Sequence, residues 1–237
     1  MNVRSAATGA VVFACLFGTA QAAELTGGDV TLGYSAFTKD ADFRALSLEG
    51  AVEFGITPQF GVEVDLAYRD FGVSDENGSN LTLHGIYHLN DDTALGLFYG
   101  RDWVSGEHAD YLGLEARSTF DAFRVEGYAA HGDSEGEKAT FAGLSGGYAL
   151  NDAFSIETSI DYVSFEDGAS LRRVGLRGEY AFAPRVSAYA EVGSVRVADQ
   201  GFSDSETFVG VGASFALGDK KGATFGSRGI LKITPGS

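Results

Sequence analysis

Ser145 lies in Gly143-Leu144-Ser145-Gly146-Gly147, a match to the G-x-S-x-G pattern of acyl-transfer serines. That pattern makes a nucleophile only at a sharp strand-to-helix turn. Here it runs inside an alternating apolar stretch with no helical pattern after it, and the chain contains no His-x-Ser pair. His84 and His88 have the four-residue spacing of a helical zinc pair. On a strand, four residues span ~13–14 Å, too far for two ligands of one ion, so the two histidines read as lining the interior of the fold. Glu63 and Asp65 fall on one strand face about 7 Å apart, a separation that suits an inverting glycosidase pair. Similar carboxylate pairs recur along the chain, so the spacing is not specific. Asp133, Glu135 and Glu137 have His131 as their nearby histidine, a weak basis for a protease site. The sequence is therefore read as that of a non-enzyme, with no catalytic residue, no metal site and no cofactor.

The elements that would carry these residues are strands. Phe60, Val62, Val64, Leu66 and Tyr68 alternate with Gly61, Glu63, Asp65, Ala67 and Arg69. A period of two separates apolar from charged residues onto opposite faces, whereas helical spacings would mix them. The same alternation predicts strands near 29–38, 43–55, 59–72, 80–89, 93–103, 109–120, 122–132, 139–150, 153–164, 170–183, 185–197 and 205–217. About 16 residues per strand and connection suits a tilted membrane strand of ~9–11 residues.

Composition narrows the class. The chain has 33 Gly, 18 Phe and 10 Tyr but only 3 Pro. Such aromatic content excludes disorder, and no three-residue glycine period points to collagen. A net charge of −16 argues against nucleic acid as a partner, because phosphates call for a positive face. No window beyond the first residues approaches the ~20 apolar residues of a membrane helix. A membrane location would thus require a closed barrel, since open sheet edges are not tolerated in hydrocarbon.

The first 22 residues read as a secretory leader. Met1-Asn2-Val3-Arg4 is a positive start, an apolar run follows from Ala10 to Phe17, and Ala20-Gln21-Ala22 fits the small-x-small cleavage rule. The single cysteine, Cys15, belongs to this leader; Phe13 and the apolar residues after Cys15 fit a lipidation site poorly. The expected organisation is 1–22 signal peptide, 23–217 transmembrane β-barrel and 218–237 basic C-terminal tail.

Connections alternate in kind. Thr57-Pro58, Asn90-Asp91-Asp92, Asp121-Ala122, Asn151-Asp152 and Ala183-Pro184 are tight; stretches such as 74–79 and 133–137 are acidic and read as longer. Short periplasmic turns with modest extracellular loops follow the arrangement of outer-membrane barrels. Aromatics mark two levels, with Phe54, Phe60, Phe120, Phe123, Tyr148, Phe154, Phe182 and Phe215 near the tight turns. Tyr68, Tyr99, Trp103 and Tyr162 lie toward the other end. Paired aromatic belts sit at membrane interfaces.

The leader, the Gly28-Asp29-Val30-Thr31-Leu32-Gly33-Tyr34 strand and the acidic Gly/Tyr/Phe hairpins resemble Gram-negative porins, particularly the alphaproteobacterial kind. The resemblance implies a transmembrane β-barrel in the cell outer membrane, and the alternation makes it all-β and antiparallel with about 12 strands (range 10–12). It implies passive diffusion of small hydrophilic solutes, with outer-membrane lipid and lipopolysaccharide as surroundings. Large general porins differ in having more strands and a long loop folded into the pore. A non-conducting barrel with a structural, adhesive or partner-binding role is the alternative.

With apolar side chains facing lipid, the other face lines the lumen. Its acids are Glu49, Glu53, Glu63, Asp65, Glu115, Glu126, Glu157, Asp161, Glu179 and Glu191; its bases are Arg69, Arg117, Arg124, Arg173 and Arg177. Carboxylate rings favour cations, so a cation-preferring pore is expected; Arg–Glu pairs bracing a filled wall would use the same residues. Acidic loops could hold Ca²⁺ or Mg²⁺ bridging lipopolysaccharide phosphates, though solvated charge is the simpler reading. The tail carries Lys220, Lys221, Arg228 and Lys232 against Asp219. It reads first as a disordered periplasmic extension and, more sharply, as a segment that could enter the lumen.

Overall fold

The structure, a computed structural model, describes residues 24–72, 76–134, 136–218 and 222–233. The leader expected at 1–22, with Cys15, and tail residues Asp219, Lys220 and Lys221 lie outside the described residues.

Alternation of apolar and polar residues produces twelve strands: β1 (Glu24–Phe37), β2 (Arg44–Gly55), β3 (Phe60–Phe71), β4 (Asn77–His88), β5 (Thr93–Val104), β6 (Glu107–Phe120), β7 (Phe123–Ser134), β8 (Glu137–Ala149), β9 (Phe154–Phe165), β10 (Ser170–Ala183), β11 (Val186–Asp199) and β12 (Phe202–Leu217). A 3₁₀ turn, Leu231–Ile233, follows in the tail. Each strand pairs antiparallel with its sequence neighbours, and β1 pairs with β12 from Gly28↔Leu217 to Phe37↔Phe208, closing the barrel. Closure removes every unpaired strand edge, the condition for a sheet in hydrocarbon. Strands of twelve or more residues measure roughly 40 Å and, tilted by ~35–45°, cross a core about 30 Å thick.

The outward face is apolar along its length. Leu48, Leu66, Leu97, Leu112, Leu114, Leu144, Leu176 and Val211 are all more than half exposed. The interface aromatics point outward as expected: Phe60, Phe120, Phe123 and Phe182 at one end, Tyr68, Tyr99, Trp103 and Tyr162 toward the other.

Two expectations change. The connection at 133–137 is tighter than it reads in sequence. The ladder continues through Asp133↔Lys138 and Ser134↔Glu137, with Gly136 at φ 93°. Likewise Ser105 (φ 52°) and Gly106 (φ 92°) alone join β5 to β6. Polar residues near these tips extend the strands instead of forming loops, because cross-strand pairing satisfies their backbone.

The inward face is not purely polar either. Phe98, Tyr111, Tyr128, Phe141 and Val163 form a buried cluster inside the barrel. In Leu97-Phe98-Tyr99 three apolar residues run in succession, so one must face inward. Room for the rings comes from glycines on neighbouring strands: a Cβ on Gly100 would lie 2.2 Å from the Tyr111 ring, and one on Gly212 would lie 2.5 Å from Tyr189.

Candidate functional site

The site is the lumen. All fifteen residues expected to line it occupy the inward register: for example, Glu63, Asp65 and Arg69 alternate with outward Val62, Val64, Leu66 and Tyr68. The structure adds Asp29, Asn80, Thr82 and Asp102 to that face, where His84 also lies as its lumen-lining reading expects.

Sequence reasoning missed how many of these side chains are sealed. Glu53, Glu63, Asp65, Arg69, Glu115, Asp161, Arg173 and Glu191 are buried. Across the wall, charges pair. Arg69 Nη2 donates to Glu49 Oε1 at 2.7 Å, Arg173 donates to Glu191, and Arg124 donates to Glu157. Arg177 Nη2 lies 3.6 Å from Glu191 Oε2, with its guanidinium 3.9 Å from the centre of the Tyr189 ring. Burying one partner of such a pair without the other would leave an uncompensated charge, which explains the interleaving of Arg and Glu across neighbouring strands.

The C-terminal segment covers several of the sealed side chains, among them Glu53, Glu63, Glu115 and Asp161. Instead of extending away from the barrel, residues 222–233 run inside it. Thr224 N donates to Glu63 Oε2 at 2.8 Å and Glu53 Oε2 at 3.1 Å, and Thr224 Oγ1 donates to Glu53 Oε2 at 2.6 Å. Phe225 N donates to Glu63 at 3.2 Å. Arg228 Nε reaches Glu115 Oε2 at 3.0 Å and its Nη2 reaches Glu126 Oε1 at 2.7 Å. The Arg228 carbonyl accepts from Asn80 Nδ2 at 3.0 Å and Tyr111 OH at 2.9 Å. Ile230 N donates to Asp102 Oδ2 at 2.6 Å, and Lys232 Nζ lies 3.2 Å from Asp161 Oδ1.

These contacts explain why the segment enters. Its bases meet the acids of the wall, its free amides meet carboxylates, and Leu231 and Ile233 are buried, Ile233 within the inward aromatic cluster. Burial works against the Arg228 charge, but Glu126 and Glu115 more than offset it and raise its pKa above the usual guanidinium value. Arg228 is thus a fixed cation at any working pH. The periodicity signal stops at Leu217, so nothing in the local pattern marks these residues as interior; the only sequence signal was a basic tail on an acidic chain.

The segment does not fill the lumen. A cavity of about 410 Å³ remains, bounded by Asp29, Glu49, Arg117, Arg124, Glu126, Glu157, Arg173, Arg177, Glu179 and Glu191 on the wall and by Arg228 and Lys232 of the tail. Arg117 also donates to the Ala223 carbonyl at 3.2 Å, so it serves both the tail and the cavity.

A closed antiparallel barrel with an apolar exterior and an ionised interior defines an outer-membrane barrel of the porin class. The Gram-negative porin family model matches residues 73–200, a little over half of the sequence, and the chain belongs to that family. Among solved structures, the fold is similar to the KdgM porin (14% identity, 80% of this chain and 99% of that one, TM-score 0.57). It is also similar to the NanC porin (14%, 80% and 100%, TM-score 0.58) and to an outer membrane channel from Pseudomonas putida F1 (12%, 84% and 97%, TM-score 0.60). No curated protein matches the sequence. Family and fold together place the protein in the outer membrane as a porin-like channel.

Proposed function

We propose that the protein is a passive channel for small hydrophilic solutes, cation-preferring, whose lumen is narrowed by its own C-terminal segment. The observation that carries the reading is the charged cavity of about 410 Å³ that persists inside the barrel beside residues 222–233. Ionised walls replace part of an ion's hydration and so select by charge. The wall residues expected to line the pore comprise ten acids and five arginines, and this excess supports cation preference. The tail brings Arg228 and Lys232 into the same space and lowers that excess, so the full chain is less selective than the bare barrel would be. Outer-membrane lipid and lipopolysaccharide surround the apolar wall in this reading, and export uses cleavage of the leader after Ala22.

The extent of the tail's contacts favours a second reading, a barrel that stays shut and serves a structural or binding role. Planar-bilayer recordings of the full chain and of a variant lacking 218–237 distinguish the two. Discrete steps from the full chain, larger in the truncated form, support the channel. Silence of both forms, each verified as folded, overturns it in favour of the closed barrel.

A further inference from the structure

His84, on β4, faces inward between two carboxylates. Its Nδ1 lies 2.6 Å from Glu115 Oε1, and its Nε2 lies 3.2 Å from Asp65 Oδ2. Asp65 is paired directly across from Thr82 on β4, and Glu63 directly across from His84. One donor atom each from Glu63, Asp65 and His84 falls within 4.8 Å of the others.

All three residues are buried, His84 at 1% exposure and Asp65 at 2%. Among the described residues Asp65 Oδ1 has no hydrogen-bond partner, and Asp65 Oδ2 and His84 Nε2 meet only each other, at 3.2 Å. A close Nδ1–H···Glu115 hydrogen bond is the arrangement that orients a metal-binding imidazole and leaves Nε2 as the free lone pair. That lone pair then faces a carboxylate across 3.2 Å. A ring nitrogen and a carboxylate oxygen this close, both out of water, hold a proton or a metal ion between them.

A proton on Nε2 would satisfy one contact and leave Asp65 Oδ1 unserved. A divalent ion would draw on Asp65, His84 and Glu63 together. Charge points the same way. Glu63, Asp65 and Glu115 are buried together here, while Arg228 is the cation on Glu115 and is shared with Glu126. Buried carboxylates in excess of their cations are expensive, and two further positive charges would offset the excess.

We infer that Glu63, Asp65 and His84 form a binding site for a divalent transition-metal ion of the Zn²⁺ type, with Glu115 holding the histidine. One imidazole and two carboxylates suit zinc, which takes three protein ligands and leaves a fourth position open. The site is dry on one side, where the Phe225 ring stacks on His84 with centroids 5.9 Å apart. On the other, Asp65 borders a cavity of about 170 Å³ that it shares with Asp29 and Glu49, an acidic approach for a cation. His84 finds its co-ligands across the β3–β4 ladder.

The test uses the full chain, refolded in detergent, stripped with a chelator and titrated with Zn²⁺ alone. Metal content per chain and calorimetry are read, together with the visible absorption of a Co²⁺-loaded sample. The site predicts saturable uptake of one ion per chain. Asp65→Asn and His84→Gln should abolish it, and Glu115→Gln should weaken it about 10–100-fold as a residue that orients a ligand. Should His84→Gln fail to fold, Asp65→Asn and Glu63→Gln decide the matter by the same readout. Absence of saturable uptake in the wild type, leaving a proton between His84 and Asp65, overturns the site. So does uptake that survives these substitutions, which would be diffuse binding to wall carboxylates. Neither result bears on whether the barrel conducts, so channel activity is judged separately.

Discussion

Arg228→Met tests whether the tail is held by its charge. Arg228 is 1% exposed and donates to Glu115 at 3.0 Å and Glu126 at 2.7 Å. Its guanidinium also lies 4.7 Å from the Tyr128 ring centre. Methionine keeps much of the side-chain length and removes the charge, so Glu115 and Glu126 lose the guanidinium they share. Removing one partner of a buried ion pair destabilises by about 3–5 kcal/mol. At 1.4 kcal/mol per factor of ten, the ratio of inserted to withdrawn tail should fall roughly a hundred- to several-thousand-fold. Because the barrel wall is closed by β1 and β12 without the tail, the substitution should spare the barrel itself.

Two assays read the withdrawn population. Single-channel recordings should show a larger or more frequent open level than the wild type. Trypsin should cut at Lys232, which in the native state lies inside the lumen against Asp161, with the cleaved product identified by mass. Adding Glu115→Gln to Arg228→Met should restore part of the protection, since one of the two stranded charges is then gone. If folded Arg228→Met protein has both wild-type conductance and wild-type protection at Lys232, the ionic contacts do not hold the segment and the reasoning fails.

Three further outcomes follow from the same structure. Removal of 218–237 takes Arg228 and Lys232 out of the lumen, so reversal potentials in a salt gradient should shift toward cations; a shift toward anions would contradict the acidic-wall assignment. Leu66, 55% exposed on the outward face of β3, should tolerate Arg poorly. Leu66→Arg is expected to lower folding stability in lipid by about 2–4 kcal/mol, measured by urea titration in vesicles, and an unchanged midpoint would remove Leu66 from the lipid face. Gly100→Ala would place a methyl group 2.2 Å from the Tyr111 ring, whereas Gly146→Ala meets no atom within 4 Å. The first should destabilise by roughly 1–3 kcal/mol through overpacking, and the second should be close to neutral in the same titration.

Much of the architecture is legible in the residue pattern. The two-residue period of Phe60 to Arg69 assigns each side chain a face, because successive residues on a strand point to opposite sides of the sheet. Twelve such stretches, tight turns at Thr57-Pro58 and Asn151-Asp152, and aromatics near the strand ends are local features, and a closed barrel is how they avoid open edges in lipid. Parity alone puts Glu63, Asp65, Arg117 and Arg173 on the interior face.

What only the tertiary structure decided is which interior residues meet. Arg173 with Glu191, or His84 with Asp65 and Glu115, depends on ladder register and on strands distant in sequence. The same holds for the inward turn of the tail. No periodic pattern marks 222–233, because its neighbours are not consecutive residues but carboxylates from β2, β3, β5, β6, β7 and β9. A local pattern can report the face on which a side chain lies; it carries no information about the far wall, and the free energy that draws Arg228 into the lumen comes from that wall.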